Sequence, residues 1–350
     1  MSSTLSAVSW LESLSPWPEK FGLERMRALL CDLGEPQRAY PSIHVVGTNG
    51  KSTATRTIAA LLRAEGLQVG AYTSPHVSGW HERLDSDPAT FDRALERVRP
   101  VAEGATQFEV LTAAALTEFR EQEVDVAVIE AGLGGRHDAT NVIDAPVVLL
   151  TNVGLDHTDV LGDTREAIAR EKLAVVKPGA TLVQPGDASW LPKTADVRFV
   201  TGGPREAAET FLGHAIAHQV EVSLPGRFEW RGGDELWDGA HNLAGTEWLL
   251  ERLPKRDWNV VASILADKHV DAMLERLGTA GRTLIATRSS NPRALDEKEL
   301  ARRAEPYFDH VESEPDPVLA LRRARQLGPV LATGSLYLLA DLSKAEYNQA

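Results

Sequence analysis

Cysteine is almost absent from this sequence: its 350 residues contain one, Cys31. A single thiol closes no intramolecular disulfide and builds no thiolate zinc site, so Cys31 reads as a semi-buried thiol in a reducing compartment rather than a nucleophile. Basic residues are also in short supply, with 37 Lys and Arg against 50 Asp and Glu and a formal net charge of −13. That balance argues against a nucleic-acid partner, whose phosphates reward a basic surface. It leaves room for small anionic substrates, because a local basic pocket can act against a global acidic charge. Long apolar runs are missing too. No stretch reaches the ~20 residues of a membrane span, and residues 1–20 lack the charged start and apolar core of a signal peptide. A cytoplasmic protein with no membrane partner is expected. The remainder, 43% hydrophobic and 25% charged, is that of an ordinary globular chain long enough for two domains.

What is present is an alternation of short apolar runs and amphipathic helical stretches, the pattern of βαβ units and a mainly parallel sheet. In the first half, strands are expected at 42–46, 68–73, 124–130, 146–152 and 180–183. Helices are expected at 21–32, 52–65, 109–121 and 164–176. Between 189 and 224 the pattern loosens, punctuated by Pro192, Gly202, Gly203 and Pro204. A second series follows, with strands at 235–238, 258–265, 283–287, 310–312 and 330–332 and helices at 242–253, 270–277, 296–304 and 317–327. The fold class expected is α/β. A P-loop-type parallel-sheet domain over 1–222 passes through a hinge at 223–234 into a smaller Rossmann-like domain over 235–350.

The strand ending at Val46 runs into Gly47-Thr48-Asn49-Gly50-Lys51-Ser52-Thr53 and then a helix. Glycines let backbone N–H groups face an anion, and the helix N-terminus adds the positive end of its dipole. Lys51 offers a point charge for ATP phosphates and Ser52 a hydroxyl near a metal, although Val45 replaces the first glycine of the full eight-residue pattern. Ligands of open parallel sheets bind beyond the carboxyl ends of strands. There the other loops carry Ser74-Pro75-His76, then Glu130 with Gly132 to Arg136, then Asp156-His157-Thr158. Glu130, ending an apolar strand, has the placement of an acid that holds Mg2+. Lys172, on a helix beside Glu171, reads by itself as a solvated or ion-paired lysine.

Taken together these motifs resemble the folylpolyglutamate synthase/dihydrofolate synthase family of the Mur ligase superfamily. The resemblance is carried by Gly-Thr-Asn-Gly-Lys-Ser (47–52), Thr-Ser-Pro-His (73–76), Glu-Arg-Leu (82–84), Phe-Glu-Val-Leu-Thr (108–112) and Glu-Ala-Gly-Leu-Gly-Gly-Arg (130–136). It continues through Asp-Ala-Thr-Asn (138–141), Leu-Asp-His-Thr (155–158), Arg-Glu-Lys (170–172), Lys-Pro-Gly (177–179), Pro-Gly-Arg (225–227) and Asp-Gly-Ala-His-Asn (238–242). The resemblance implies that Gly50, Lys51 and Ser52, within the loop Gly47, Thr48, Asn49, hold the ATP phosphates, and that Arg227 and Asp238 also reach ATP. It implies Ser74 and Glu130 as ligands of one Mg2+ and His157 of a second. Phe108, Glu109, Asp138 and Ala139 fall on the pterin-bearing substrate, and His241 and Ser335 on the glutamate side. Lys172 matches a lysine that family members carry as a carbamate, and with His157 it is the implied catalytic pair. The implied substrates are a folate or pteroate, L-glutamate and ATP, handled by a monomer. Three departures stand out: a short segment after Leu84, His137 where the family commonly has Leu, and a shorter chain.

The chemistry implied is ATP-dependent activation of a carboxylate to an acyl phosphate, then attack by the glutamate amine. Two other readings compete. A Mur-type peptidoglycan-precursor ligase would use the same chemistry, but only 46 residues precede Gly47, and its Asp-Asn-Pro-Arg signature is echoed only as Ser290-Asn291-Pro292-Arg293. A nucleotide-gated binding protein with slow ATPase activity would keep the phosphate loop but need neither Glu109, Asp138 nor Lys172.

Overall fold

The computed structural model describes residues 5–186, 189–192 and 196–347, which fall into two compact units. One comprises residues up to Pro75 together with Trp80–Val222, and the other His76–Gly79 together with Ser223 onward. Each is an α/β layer structure around its own six-stranded sheet.

In the first unit the strands are β1 (Ser42–Val46), β2 (Val69–Tyr72), β3 (Val126–Glu130), β4 (Val147–Leu150), β5 (Thr181–Gln184) and β6 (Arg198–Thr201). They lie in the order β2-β3-β1-β4-β5-β6, and every pairing is parallel. Because strand side chains alternate between faces, β1 sends Ile43 and Val45 to one layer and Val46 to the other. The first layer is filled by the Lys51–Ala64 and Pro204–Leu212 helices, the second by Pro88–Val98 and Gln107–Glu121. Burial on both faces is why these strands read as nearly continuous apolar runs.

The second unit contains β7 (Glu229–Trp230), β8 (Glu235–Trp237), β9 (Asn259–Ala262), β10 (Thr283–Ala286), β11 (His310–Ser313) and β12 (Val330–Thr333). The order is β11-β10-β9-β12-β8-β7, parallel except for the antiparallel edge pair β7–β8. The helices Leu243–Arg252, Val270–Leu277 and Glu297–Ala304 pack on one face. Pro317–Leu327 and Leu336–Tyr347 cover the other, where Val77 also packs with Leu336 and Leu339.

The α/β class and the expected strands agree with this architecture, and several ends move by one to three residues. The helix expected over 21–32 begins at Glu24. Several elements were not expected, the short Thr158–Leu161 helix and β7 among them. Ser6 caps a helix at Ala7–Glu12. Asp87 caps the Pro88–Val98 helix, whose buried Phe91, Ala94, Leu95 and Val98 form a regular helical stripe. The stretch read as loose holds β6 and the Pro204–Leu212 helix, while its residues 193–195 lie outside the described set. The last is the Leu336–Tyr347 helix, which buries Leu336, Leu338, Leu339 and Leu342. Cys31, read as semi-buried, is exposed.

Candidate active site

The phosphate loop joins β1 to the Lys51–Ala64 helix and is stitched to the loop after β4, the neighbouring strand. Thr48 N donates to Asn152 O at 3.1 Å, Asn49 N to Asn152 Oδ1 at 3.0 Å, and Thr151 Oγ1 to Asn49 O at 2.7 Å. Gly47 is required sterically: a Cβ there would sit 1.9 Å from Thr151 Oγ1 at a φ of +152°. Among the described residues Lys51 Nζ donates to the loop's own Thr48 O, at 3.2 Å.

Glu130 ends β3, in register with Val45 of β1, so its carboxylate lies beside the loop. It accepts from Ser52 Oγ at 3.2 Å and from Ser74 N at 3.0 Å. Two sequence-predicted residues, following two other strands, are thereby gathered around one buried carboxylate. A hard carboxylate oxygen beside a hydroxyl and a phosphate loop suits Mg2+, which takes one or two protein oxygens and fills its shell with water and phosphate. Among the described residues no three His, Cys, Asp or Glu side chains cluster as a closed metal cage. Arg136 does not pair with Glu130; its Nε donates to Glu171 Oε1 at 2.8 Å.

Lys172 departs from the solvated reading. It is 4% exposed, and its Nζ donates to Gly47 O at 2.9 Å. Gly135 allows this, since a Cβ there would lie 2.5 Å from Lys172 O, so only glycine lets the two segments approach so closely. Burial, reinforced by the like charge of Lys51, pulls the Lys172 ammonium down to about 7 against the opposing pull of Asp156 and Asp138. His157 precedes the short Thr158–Leu161 helix at a left-handed φ of 52°, half-buried, with Asp156 Oδ1 accepting from its backbone N at 3.0 Å.

The residues implied for the pterin lie on the Gln107–Glu121 helix and the loop after β3. Phe108 covers Gly132, where a Cβ would meet its ring at 2.6 Å, and sits 6.1 Å from Tyr72. Ala139 is buried, whereas the departing His137 is exposed. Glu109 closes a capping box with Thr106 and pairs with Arg25 Nε at 2.8 Å. Asp138 accepts from Leu133 N at 2.8 Å and from Thr140 N at 3.0 Å, so this carboxylate shapes the loop; burial raises its pKa. Thr140 Oγ1 bonds both Asp138 and His44 Nε2, the latter at 2.8 Å. Burial drives His44 down to about 3, which keeps its ring neutral. Thr140, His44 and Asn152 were not singled out from sequence. The signal for His44 and Asn152 was a polar residue inside or just past an apolar strand; Thr140 lies in a turn after β3 and appeared only within the motif at 138–141.

In the second unit Asp238 follows β8 and accepts from Phe228 N at 2.7 Å and Ala240 N at 2.9 Å, with burial raising its pKa and Arg227 opposing. His241 Nδ1 lies 2.9 Å from Gly239 O. Ser335 is buried after β12, and its Oγ accepts from Tyr337 N at 3.1 Å as a helix cap. The structure brings these residues to strand ends of their own sheet.

Fold and loop define an ATP-dependent ligase of the Mur type. Residues 45–229 match the Mur ligase middle domain, and residues 226–336 the Mur ligase glutamate ligase domain. The chain is 33% identical to the folylpolyglutamate synthase of Lacticaseibacillus casei over 90% of its own length and 92% of that protein's. It superimposes on Mycobacterium tuberculosis folylpolyglutamate synthase complexed with ADP with a TM-score of 0.87, at 27% identity and 99% coverage of both chains. A bifunctional folylpolyglutamate synthase/dihydrofolate synthase with Mn, AMPPNP and L-glutamate bound matches with a TM-score of 0.82, at 27% identity and 98% coverage of both. The chain belongs to the folylpolyglutamate synthase/dihydrofolate synthase family.

Proposed function

We propose that this chain joins L-glutamate to a folate-type acid, tetrahydrofolate polyglutamate or dihydropteroate, using ATP and Mg2+. The observation that supports this most directly is the buried Glu130 carboxylate bridging Ser52 and Ser74 beside Lys51, with Lys172 anchored to the same loop. A carboxylate is a poor electrophile, and transfer of a phosphoryl group gives it a good leaving group. Lys51 and the loop amides would hold and neutralise the phosphates, and attack by the glutamate amine would then release inorganic phosphate. Ser52, Ser74, Glu130 and His157 would hold divalent metal, whose chemistry is neutralisation of phosphate charge.

A lysine pulled to about 7 is neutral in a large fraction at physiological pH, and the neutral amine is the form whose lone pair attacks carbon dioxide, forming the N–C bond of a carbamate and releasing a proton to solvent. Carbamylation of Lys172 would turn a second cation beside Lys51 into an anion able to orient metal and phosphate, while its N–H could still donate to Gly47 O. Residues 1–222 are read as the nucleotide- and folate-binding domain, 223–234 as the linker and 235–350 as the C-terminal domain. Phe108 and Ala139 are read as pterin contacts, Glu109 and Asp138 as residues of that pocket, and Arg227, Asp238, His241 and Ser335 as contributors from the second unit. The protein is further read as a cytoplasmic monomer; among the described residues no helix is long and apolar enough to cross a membrane.

The test is a product assay with ATP, Mg2+ and L-glutamate, offering dihydropteroate and tetrahydrofolate in parallel. ATP-dependent formation of a glutamylated product from at least one is expected. ATP hydrolysis indifferent to both acids would instead leave the slow ATPase reading.

A further inference from the structure

The first unit has a cavity of about 630 Å³ that lies away from the phosphate loop. It opens at Ser42, the first residue of β1, whereas the loop follows Val46 at the other end of the strand. Four residue rises of ~3.3 Å put about 13 Å of sheet between them. Its wall carries the cations Arg27, Arg38 and Lys177 against the carboxylates Glu35 and Asp144, an excess of positive charge in a chain of formal charge −13. Arg38 is taken by Glu35, and Lys177 Nζ donates to Asn141 Oδ1 at 2.8 Å. Arg27 is exposed on the Glu24–Asp32 helix.

Two further atoms of this wall point to a ligand. Ser42 is 2% exposed, and its Oγ has no hydrogen-bond partner among the described residues. Gln37 Oε1 is likewise buried and unpartnered. Buried polar atoms are nearly always satisfied, and leaving one without a partner is costly. Ser42 and Gln37, which carry these two orphaned atoms, both line the same cavity, whose three cations outnumber its two carboxylates.

We propose that this cavity is a second binding site, for a small anion bearing a carboxylate or phosphate group, separate from the nucleotide loop. Arg27 supplies the charge-assisted contact, Lys177 a second cation, and the Ser42 hydroxyl a donor to the same anionic group. Gln37 Oε1 accepts from a hydroxyl or amine elsewhere on the ligand. The two head-group sources are separated by using succinate and inorganic phosphate as probes.

Isothermal titration of the full chain with each probe is expected to show one saturable site for at least one of them. A saturating non-hydrolysable ATP analogue should not displace it. Arg27→Ser with Arg38→Ser, both at exposed positions, should weaken the binding about tenfold or more, as loss of a charge-assisted contact does, with ligase turnover at saturating substrates unchanged. Ser42→Ala loses no side-chain hydrogen bond among the described residues, so it should fold and yet bind the same probe severalfold more weakly. No saturable binding of either probe, displacement by the ATP analogue, or unchanged affinity in either variant would overturn the proposal.

Discussion

At the carboxyl edge of the first sheet a buried ammonium, Lys172, lies near the like charge of Lys51, among carboxylates that accept from backbone N–H groups. At the equivalent edge of the second, the buried carboxylate Asp238 has backbone donors and, among the described residues, no like charge set against it. Lys172 sits near Lys51 and is pulled to about 7, and its Nζ donates to a carbonyl of the phosphate loop. Asp238, by contrast, accepts from two backbone N–H groups, and Ser335 caps the helix that follows it. Two sheets built on the same parallel plan thus use their strand ends differently. The first keeps cations close together, an arrangement that a polyphosphate complements; the second spends its polar groups on holding loops in shape.

The comparison can be broken most sharply at Lys51. Lys51→Ala should lower ligase turnover by about 100-fold or more, the scale of removing a preorganised charge from a reacting phosphate. Its circular dichroism and melting temperature should stay those of the parent, because among the described residues Nζ donates to its own loop, at Thr48 O. Retained turnover would remove the nucleotide assignment from the first sheet edge. Next in size come Glu130→Gln and His157→Ala. Each should raise the Mg2+ concentration needed for half-maximal activity by about 10-fold or more, read from metal titrations at fixed ATP. Wild-type magnesium curves in both variants would reduce Glu130 to a tie between Ser52 and Ser74.

Lys172 sharpens the contrast in two ways. Its folded-state pKa of about 7 lies below the ordinary lysine value of 10.5, so between these the unfolded chain binds more protons. In carbon-dioxide-free buffer this group should therefore make stability rise with pH across that window and be least favourable below about 7. Denaturant midpoints of the parent and Lys172→Met, compared from pH 6 to 10, should diverge in that direction; parallel curves would contradict the burial of an ammonium. With bicarbonate present, a high-resolution map should show three extra heavy atoms on Nζ, and acetate should restore part of the activity lost in Lys172→Ala. A bare lysine and a fully active alanine variant would dispose of the carbamate.

The smallest effect belongs to the second sheet. Ser335→Ala should cost about 1 kcal/mol through the lost helix cap, seen as a lower melting temperature. A turnover loss far beyond that destabilisation would mean that Ser335 also touches substrate, and the distinction between the two edges would weaken there.

Much of this was legible from one sequence. The order of apolar runs specified an α/β fold, since only burial on both faces makes strands as uniformly apolar as 126–130 or 147–150. Gly47 to Ser52 specified an anion site, because a strand, a glycine turn and a helix start present amides and a dipole whatever surrounds them. Elements whose signals are local but short were harder to see: the cap Asp87 before Pro88 marks a helix, but that signal is two residues long and falls in the short segment after Leu84. Tertiary structure alone decided the environment of the charged groups. By spacing, Lys172 is an ordinary helix-surface lysine; it is buried because Gly135 brings its backbone against the loop after β3, and the side chain then meets Gly47. Asp138, which the resemblance places on the substrate side, also shapes its own loop, and Ser42, a strand's first residue, also lines a cavity. Sequence carries the pattern of burial along the chain, because that depends on each residue's own transfer energy. Which charges and dipoles come to face one another depends on residues up to 125 positions apart, as Lys172 and Gly47 are, and only the folded chain brings them together.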